Sequence, residues 1–439
     1  MTVKQEVLDL VKSRYKELFP PQKFVAGETY INPAGAYFDK DEVLSLLDTT
    51  LSFAITNQLG LVQKFEKEIA RYLGVRCASM CNSGSSANLL AISALTSPLL
   101  GSRALQPGDE IITVAAGFPT TVNPILQVGC VPVFVDINIP SYNTSPFMVS
   151  NAITEKTKAV FIAHTLGNPY DVEQIKQLCV ENNLWLIEDL CDAIGSEWNG
   201  KKCGTFGDLS TLSLYPAHHL SVGEGGMVFT DSPLLQKIVE SFRSWGKNCW
   251  CNPGQDGACG KRFGWCGLGD LPDNYDHKYT YSHVGYNLKS TDLQASIGLA
   301  QLKKLPDFIE DRRENWEYLR EGLSDLDKIF ILPEYSAKAK PSWFGFLMTI
   351  RDTAPFTRNE LVQWLDDNKI GTRNLFGGNL TKQPAYIGKN WRIADTESNL
   401  PHSNQSMVYT FWIGVHPLLT KKMLDYMIDK IHQFVREHE

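Results

Sequence analysis

The 439-residue chain has no apolar run of membrane-spanning length, so no membrane span is expected. Its opening residues, Met1-Thr2-Val3-Lys4-Gln5-Glu6-Val7, are charged and lack the apolar centre of a secretion signal, and the location expected is cytoplasmic. There is also no run of lysine and arginine. With 42 basic and 49 acidic side chains the net charge is −7, which gives no reason to expect a nucleic-acid or other polyanionic partner. Ten cysteines do not make a disulfide scaffold at this length. Cys77, Cys81, Cys130 and Cys179 sit among apolar neighbours and read as small hydrophobes. What the chain does have is 43% apolar residues, enough for two domains or for one large and one small.

Apolar spacing predicts a helix over residues 7–18, followed by an arm punctuated by Pro20, Pro21, Gly27, Pro33 and Gly35, which together form an N-terminal unit over 1–40. Helices are expected over 41–57 and 62–73. From Cys77 the rhythm becomes strand, turn, helix, with strands at 78–81, 110–114, 131–135, 159–163, 184–187 and 227–230. Buried strands alternating with helices predict an α/β fold, a mainly parallel sheet with helices on both faces. This large domain is expected over 41–310, with a cysteine-rich insert at 246–284. A small α+β domain is expected over 311–439.

Candidate site residues gather at strand ends. Asn82-Ser83-Gly84-Ser85-Ser86 delivers a strand to a helix N-terminus, where free N–H groups and hydroxyls suit a phosphate. Asp189 and Asp192 follow a strand whose carboxyl end is where open α/β sheets bind ligands. The segment 213–226 carries Ser213, Tyr215, His218 and His219 through an irregular turn into Gly223-Glu224-Gly225-Gly226. No lysine occurs between Lys202 and Lys237.

That segment resembles the active-site stretch of the DegT/DnrJ/EryC1/StrS sugar aminotransferases, fold type I pyridoxal-phosphate enzymes in which a lysine stands at the position of His218 and bonds the coenzyme. An imidazole cannot hold the coenzyme in that way, but it can move protons near neutral pH. The resemblance therefore shifts from transamination to the sugar 3-dehydrases of the family, which use pyridoxamine phosphate and a histidine base. It implies His218, Asp192 and Tyr215 as catalytic residues. It further implies Gly84 and Ser85 for the coenzyme phosphate, Phe118 stacked on the pyridine ring, Asp189 against its nitrogen, and Ser213 beside it. Asn287, in Gly285-Tyr286-Asn287-Leu288-Lys289, resembles the residue that crosses to the partner's coenzyme, which implies a homodimer.

Cysteines 191, 249, 251 and 259 give the spacing C-x57-C-x-C-x7-C. By spacing alone a zinc site, a free-thiol loop and a cluster stand level. The pattern resembles the iron–sulfur 3-dehydrase branch of the family and implies a [2Fe–2S] cluster on Cys191, Cys249, Cys251 and Cys259, with Cys203 and Cys266 outside the set. The same resemblance implies a substrate such as CDP-4-keto-6-deoxyglucose and an NADH-dependent flavin or iron–sulfur reductase as electron donor. Two further readings are a cluster-free 3-dehydratase that recycles its coenzyme with glutamate, and a catalytically silent relative. Arg373-Asn374 and Gly377-Gly378-Asn379 are expected in loops near the sugar nucleotide.

Overall fold

A computed structural model describes residues 2–21, 23–251, 257, 259–395, 397 and 399–438. The expected sheet is there. Strands β1 (Cys77–Cys81), β2 (Glu110–Val114), β3 (Val131–Val135), β4 (Thr157–Ala163), β5 (Trp185–Asp189), β6 (Leu209–Ser213) and β7 (Gly226–Thr230) form most of it. The order is β1-β7-β6-β5-β4-β2-β3, and the short strand Arg392–Ile393 completes eight at the β3 edge. All pairs are parallel except those made by β7, which runs antiparallel to both β1 and β6. Strands buried along their whole length need no polar face, which is why β1, β2 and β5 lack a clean alternation.

The reversal between β6 and β7 positions the segment 214–225 at one end of the sheet. Ser213 pairs with Gly226. Two close approaches fix this corner against the helix Gly84–Leu95. A Cβ on Gly226 would lie 2.1 Å from the Ser83 carbonyl oxygen, and one on Gly84 would lie 2.4 Å from Ser213 Cβ. Only glycine fits at either position. Ser83 caps the helix, its hydroxyl accepting from the Ser86 N–H at 3.1 Å.

Helix boundaries depart from expectation at the N-terminus. The first helix is Val3–Ser13, capped by Thr2, and a separate turn covers Tyr15–Leu18. The next is Lys40–Leu51, shorter than the 41–57 expected, and beyond it the Asp292 carboxylate collects the backbone N–H groups of Gln58, Leu59, Leu61 and Val62 at 2.8 to 3.1 Å. Those N–H groups are thus bound from across the fold, and residue 53 turns with φ +56°.

The expected domain boundary after residue 310 falls inside one continuous helix, Asp292–Gly322. Its Ala295, Leu305 and Ile309 lie in the core of the large sheet, whereas Trp316 and Leu319 lie in a second core with Phe346, Met348, Phe411 and Ile413. That second core sits on a three-stranded antiparallel sheet, Phe330–Ile331, Gly345–Ile350 and Thr410–Gly414, covered by the helix Lys421–His438. Ile31 of the N-terminal arm is buried in the same core. The C-terminal part in turn lends the strand Arg392–Ile393 to the large sheet, anchored by a two-pronged bond from Arg392 to Glu110 at 2.7 and 2.6 Å. Among the described residues, no helix is long and apolar enough to cross a membrane.

Candidate active site

A cavity of about 770 Å³ opens at the carboxyl ends of β4, β5 and β6. It is lined by Gly84, Ser85, Phe118, Asp189, Cys191, Asp192, Ser213, Tyr215 and His218, so nine of the residues expected at the site converge. The N-terminal arm, residues 32–36, forms one wall, and Arg373, Asn374, Phe376 and Trp412 of the C-terminal part form another. Of the loops expected near a sugar nucleotide, Arg373 and Asn374 reach this cavity.

Asp189 ends β5 almost fully buried. Its Oδ2 accepts from Asn88 Nδ2 at 3.0 Å and Thr121 Oγ1 at 2.8 Å, and its Oδ1 accepts from the Cys191 N–H at 3.0 Å. Three donors from three elements hold one carboxylate facing the cavity. Sequence reasoning missed Asn88 and Thr121. A polar amide inside an otherwise apolar helix, and a threonine three residues beyond the aromatic Phe118, were the available signals.

His218 Nδ1 lies 3.1 Å from Asp192 Oδ1, within ion-pair reach though off the line of a hydrogen bond, which leaves Nε2 for the cavity. The ring packs against Phe344, with centroids 5.2 Å apart. Burial raises the Asp192 carboxyl above its ordinary value, the nearby Asp189 charge adds to the rise, and His218 partly offsets it. His219 is different in kind. It is 3% exposed, its Nε2 bonds the Ser342 carbonyl at 3.0 Å, and burial together with the Arg312 charge pushes its pKa well below the ordinary value. It is a neutral core residue that does not line the cavity.

These residues fit the coenzyme that the resemblance implied. The helix start at Gly84 and Ser85 offers N–H groups to a phosphate, and the missing Cβ at Gly84 lets that start pack against Ser213. Phe118, half exposed, presents a ring braced by Phe376 at 6.1 Å. Among the described residues, no lysine lines the cavity.

The four cysteines divide. Cys191 lines the coenzyme cavity, where burial first and then the charge of Asp189 raise its thiol pKa well above the ordinary value. Cys249, Cys251 and Cys259 line a separate small cavity with Arg262, His277 and Lys278. The expectation that all four share one site is therefore not met within a single chain. Among the described residues, no group of three or more His, Cys, Asp and Glu side chains stands ready to hold a metal ion. Part of the expected insert, residues 252–256 and 258, lies outside the described residues. Asn287 does not reach its own chain's coenzyme cavity. It lines a second cavity of about 780 Å³ with Cys249, Cys251 and Lys289, and it accepts a bond from Lys289 Nζ at 2.7 Å.

A mainly parallel sheet with this carboxyl-end cavity is the architecture of the fold type I pyridoxal-phosphate enzymes. The family model of the DegT/DnrJ/EryC1/StrS aminotransferase family matches residues 38–432, and the chain belongs to that family. It is 49% identical over 432 residues to the lipopolysaccharide biosynthesis protein RfbH of Salmonella typhimurium, covering 98% of each. It is 51% identical over 432 residues to dTDP-4-dehydro-2,6-dideoxy-D-glucose 3-dehydratase of Saccharopolyspora spinosa, covering 98% of this chain and 92% of that one. Among solved structures, E. coli GDP-4-keto-6-deoxy-D-mannose-3-dehydratase with bound hydrated PLP superposes with a TM-score of 0.81 at 28% identity, covering 92% of this chain and 100% of that one.

Proposed function

We propose that this chain is a pyridoxamine-phosphate-dependent dehydrase that removes the 3-hydroxyl of a nucleotide-linked 4-keto-6-deoxy sugar, and that His218 is its base. The observation that carries the proposal is His218 itself: an imidazole at the lysine position, paired with Asp192 and open to the cavity through Nε2. Two relatives named as 3-dehydratases support the same reading.

When bound, pyridoxamine phosphate supplies an amine that condenses with the 4-ketone and a ring that draws electrons from the adjoining carbon. The chain's own residues do the rest. Gly84 and Ser85 would hold the phosphate, Phe118 would stack on the ring, and Asp189 would face the ring nitrogen. His218 takes the proton from the coenzyme C4′ carbon, while Asp192 holds the imidazole and balances the charge it gains. Ser213, at the end of β6, and Tyr215, two residues further on, flank this centre. Asn287, turned away from its own cavity, is assigned to the partner's coenzyme phosphate in a homodimer.

For the substrate we propose CDP-4-keto-6-deoxy-D-glucose, in the making of a 3,6-dideoxyhexose for lipopolysaccharide O-antigen. The mutual coverage with RfbH, named for lipopolysaccharide biosynthesis, favours this route. A [2Fe–2S] cluster on the insert cysteines would supply one-electron transfer, and an NADH-dependent flavin or iron–sulfur reductase is the donor that chemistry requires. A second reading is a cluster-free dehydratase recycling its coenzyme with glutamate. It is favoured by the likeness to GDP-4-keto-6-deoxymannose-3-dehydratase with a trapped PLP-glutamate geminal diamine, TM-score 0.77 at 28% identity.

The two readings separate in one assay. Anaerobically purified enzyme is given CDP-, dTDP- or GDP-linked 4-keto-6-deoxy sugar, with either NADH and reductase or glutamate. The proposal expects 3-deoxy product from the CDP sugar only with NADH and reductase. Turnover driven by glutamate alone establishes the second reading, and product from the dTDP or GDP sugar alone reassigns the nucleotide.

A further inference from the structure

We infer that Lys289 crosses with Asn287 to the partner's coenzyme, where its ammonium faces the phosphate and its bond to Asn287 turns that residue's amide hydrogens toward the same phosphate. The inference rests on the reading that Asn287 serves the partner subunit, and it adds the residue that supplies the charge.

The coenzyme cavity lacks such a charge. A phosphate ester carries about −1.5 to −2 at neutral pH, and the helix start at Gly84 and Ser85 meets it with N–H groups and a hydroxyl. Among the described residues lining that cavity there is no lysine, and the one guanidinium, Arg373, belongs to the wall made by the C-terminal part. Asp189 and Asp192 add negative charge to the same space.

Lys289 has the opposite imbalance. Its Nζ lies 3.3 Å from the centroid of the Trp245 ring and donates to Asn287 Oδ1 at 2.7 Å, and no carboxylate pairs with it among the described residues. Burial, and then the charges of Lys247 and Arg243, push its pKa down to about 8. Lys247 rests on the same indole at 4.8 Å. The acids lining this second cavity, Glu66 and Glu240, both act on Arg243, and Glu66 is paired with it at 2.7 Å. An anion brought to Lys289 from another chain relieves that crowding of like charge.

The contact with Asn287 also fixes an orientation. An ammonium only donates, so the amide turns Oδ1 to Lys289, and Nδ2 with its two hydrogens is left without a partner among the described residues. The backbone here is held on two sides. The Leu288 carbonyl accepts from the Asn82 N–H at 2.9 Å, the Leu288 N–H donates to the Arg243 carbonyl at 3.0 Å, and Lys289 forms an antiparallel bridge with Cys81. Cys81 and Asn82 run straight into Ser83-Gly84-Ser85. A two-fold contact at this face therefore sets each chain's Asn287 and Lys289 against the other chain's phosphate loop.

The coenzyme-stripped full-length chain is titrated with pyridoxamine phosphate and with pyridoxamine, which lacks the phosphate, in wild type, Lys289→Met, Lys289→Arg and Asn287→Ala. Lys289→Met should weaken pyridoxamine phosphate by roughly tenfold or more, the worth of a hydrogen bond to a charged group, and leave pyridoxamine binding unchanged. Lys289→Arg should keep most of the preference for the phosphate form. In wild type, acetic anhydride labelling of Lys289, read by mass spectrometry, should be suppressed by pyridoxamine phosphate and not by pyridoxamine, a readout that stands even if Lys289→Met fails to fold. Crossing is tested in a mixed dimer of Lys289→Met and Ser85→Asp chains, purified through two different tags. It should bind pyridoxamine phosphate tightly at about half of its sites, whereas a Lys289 acting within its own chain leaves no tight site. No tight site, equal labelling with both ligands, or loss of phosphate preference in Asn287→Ala alone overturns the role of Lys289. An unchanged preference in both Lys289→Met and Asn287→Ala overturns the reading of Asn287 as well.

Discussion

At the scale of single residues, the two adjacent histidines divide structure from chemistry. His219 spends its Nε2 on the Ser342 carbonyl inside the core, while His218 keeps Nε2 in the cavity and turns Nδ1 to Asp192. His218→Asn should cut dehydration by roughly two to four orders of magnitude, the range for a lost general base. His219→Asn should change turnover little and instead lower the melting temperature, because the Ser342 carbonyl loses its donor, a loss of about 1–3 kcal/mol. Parallel rate and melting measurements on the two variants check this, and equal rate losses would reassign the base. Asp192 adds a pH dependence. Its folded carboxyl is raised above the ordinary 3.8 by burial, so the stability this group contributes is fully present below that value and lost as pH rises through the folded one. Asp192→Asn removes the cost of the buried charge. In coenzyme-free protein the variant should therefore gain stability relative to wild type between about pH 4 and pH 7, while losing activity at neutral pH. Melting curves at both pH values test the sign.

At the scale of elements, the site depends on how closely the β6–β7 reversal approaches the helix Gly84–Leu95. A methyl group at position 226 would meet the Ser83 carbonyl oxygen at 2.1 Å, and backbone cannot yield as a flexible side chain can. Gly226→Ala should cost about 1–3 kcal/mol by overpacking and weaken coenzyme binding at least severalfold, read by thermal melts and by titration with pyridoxamine phosphate. Much of this layer was legible in the chain. Largely buried strands such as Glu110–Val114 and Val131–Val135 stand where apolar runs put them, and Asp189 sits at a strand end as its position required. What was not legible depended on long-range contacts. The helix starting at residue 40 ends at Leu51, and the segment past residue 57 is held instead by Asp292, more than two hundred residues away, through the N–H groups of Gln58 and Leu59. The residues 311–439 carry a core and a sheet of their own, yet one strand of theirs joins the large sheet. The supports of Asp189, Asn88 and Thr121, were hidden because neither carries a motif of its own.

At the scale of the whole molecule, one chain carries a coenzyme cavity and, separately, a face bearing Asn287, Lys289 and two of the insert cysteines. If Asn287 serves the partner's coenzyme, a mixed dimer of His218→Asn and Asn287→Ala chains contains one site with both residues intact. Mixing the two impaired variants should then restore up to about half of wild-type activity per dimer, whereas no restoration would place Asn287 in a role confined to its own chain. The absent lysine makes a further claim at this scale, since nothing in the cavity can tie the coenzyme down. His218→Lys should trap pyridoxal phosphate in a borohydride-reducible bond, detected as a mass increase on the chain, and abolish dehydration. The central claim is that His218 drives removal of the 3-hydroxyl, and oxygen exchange measures that step without any electron supply. The enzyme loaded with pyridoxamine phosphate is incubated with CDP-4-keto-6-deoxy-D-glucose in ¹⁸O-labelled water, and label at C3 is followed by mass spectrometry. Wild type should incorporate label through reversible dehydration, with His218→Asn slower by roughly a hundredfold or more; equal incorporation by the two would contradict the account.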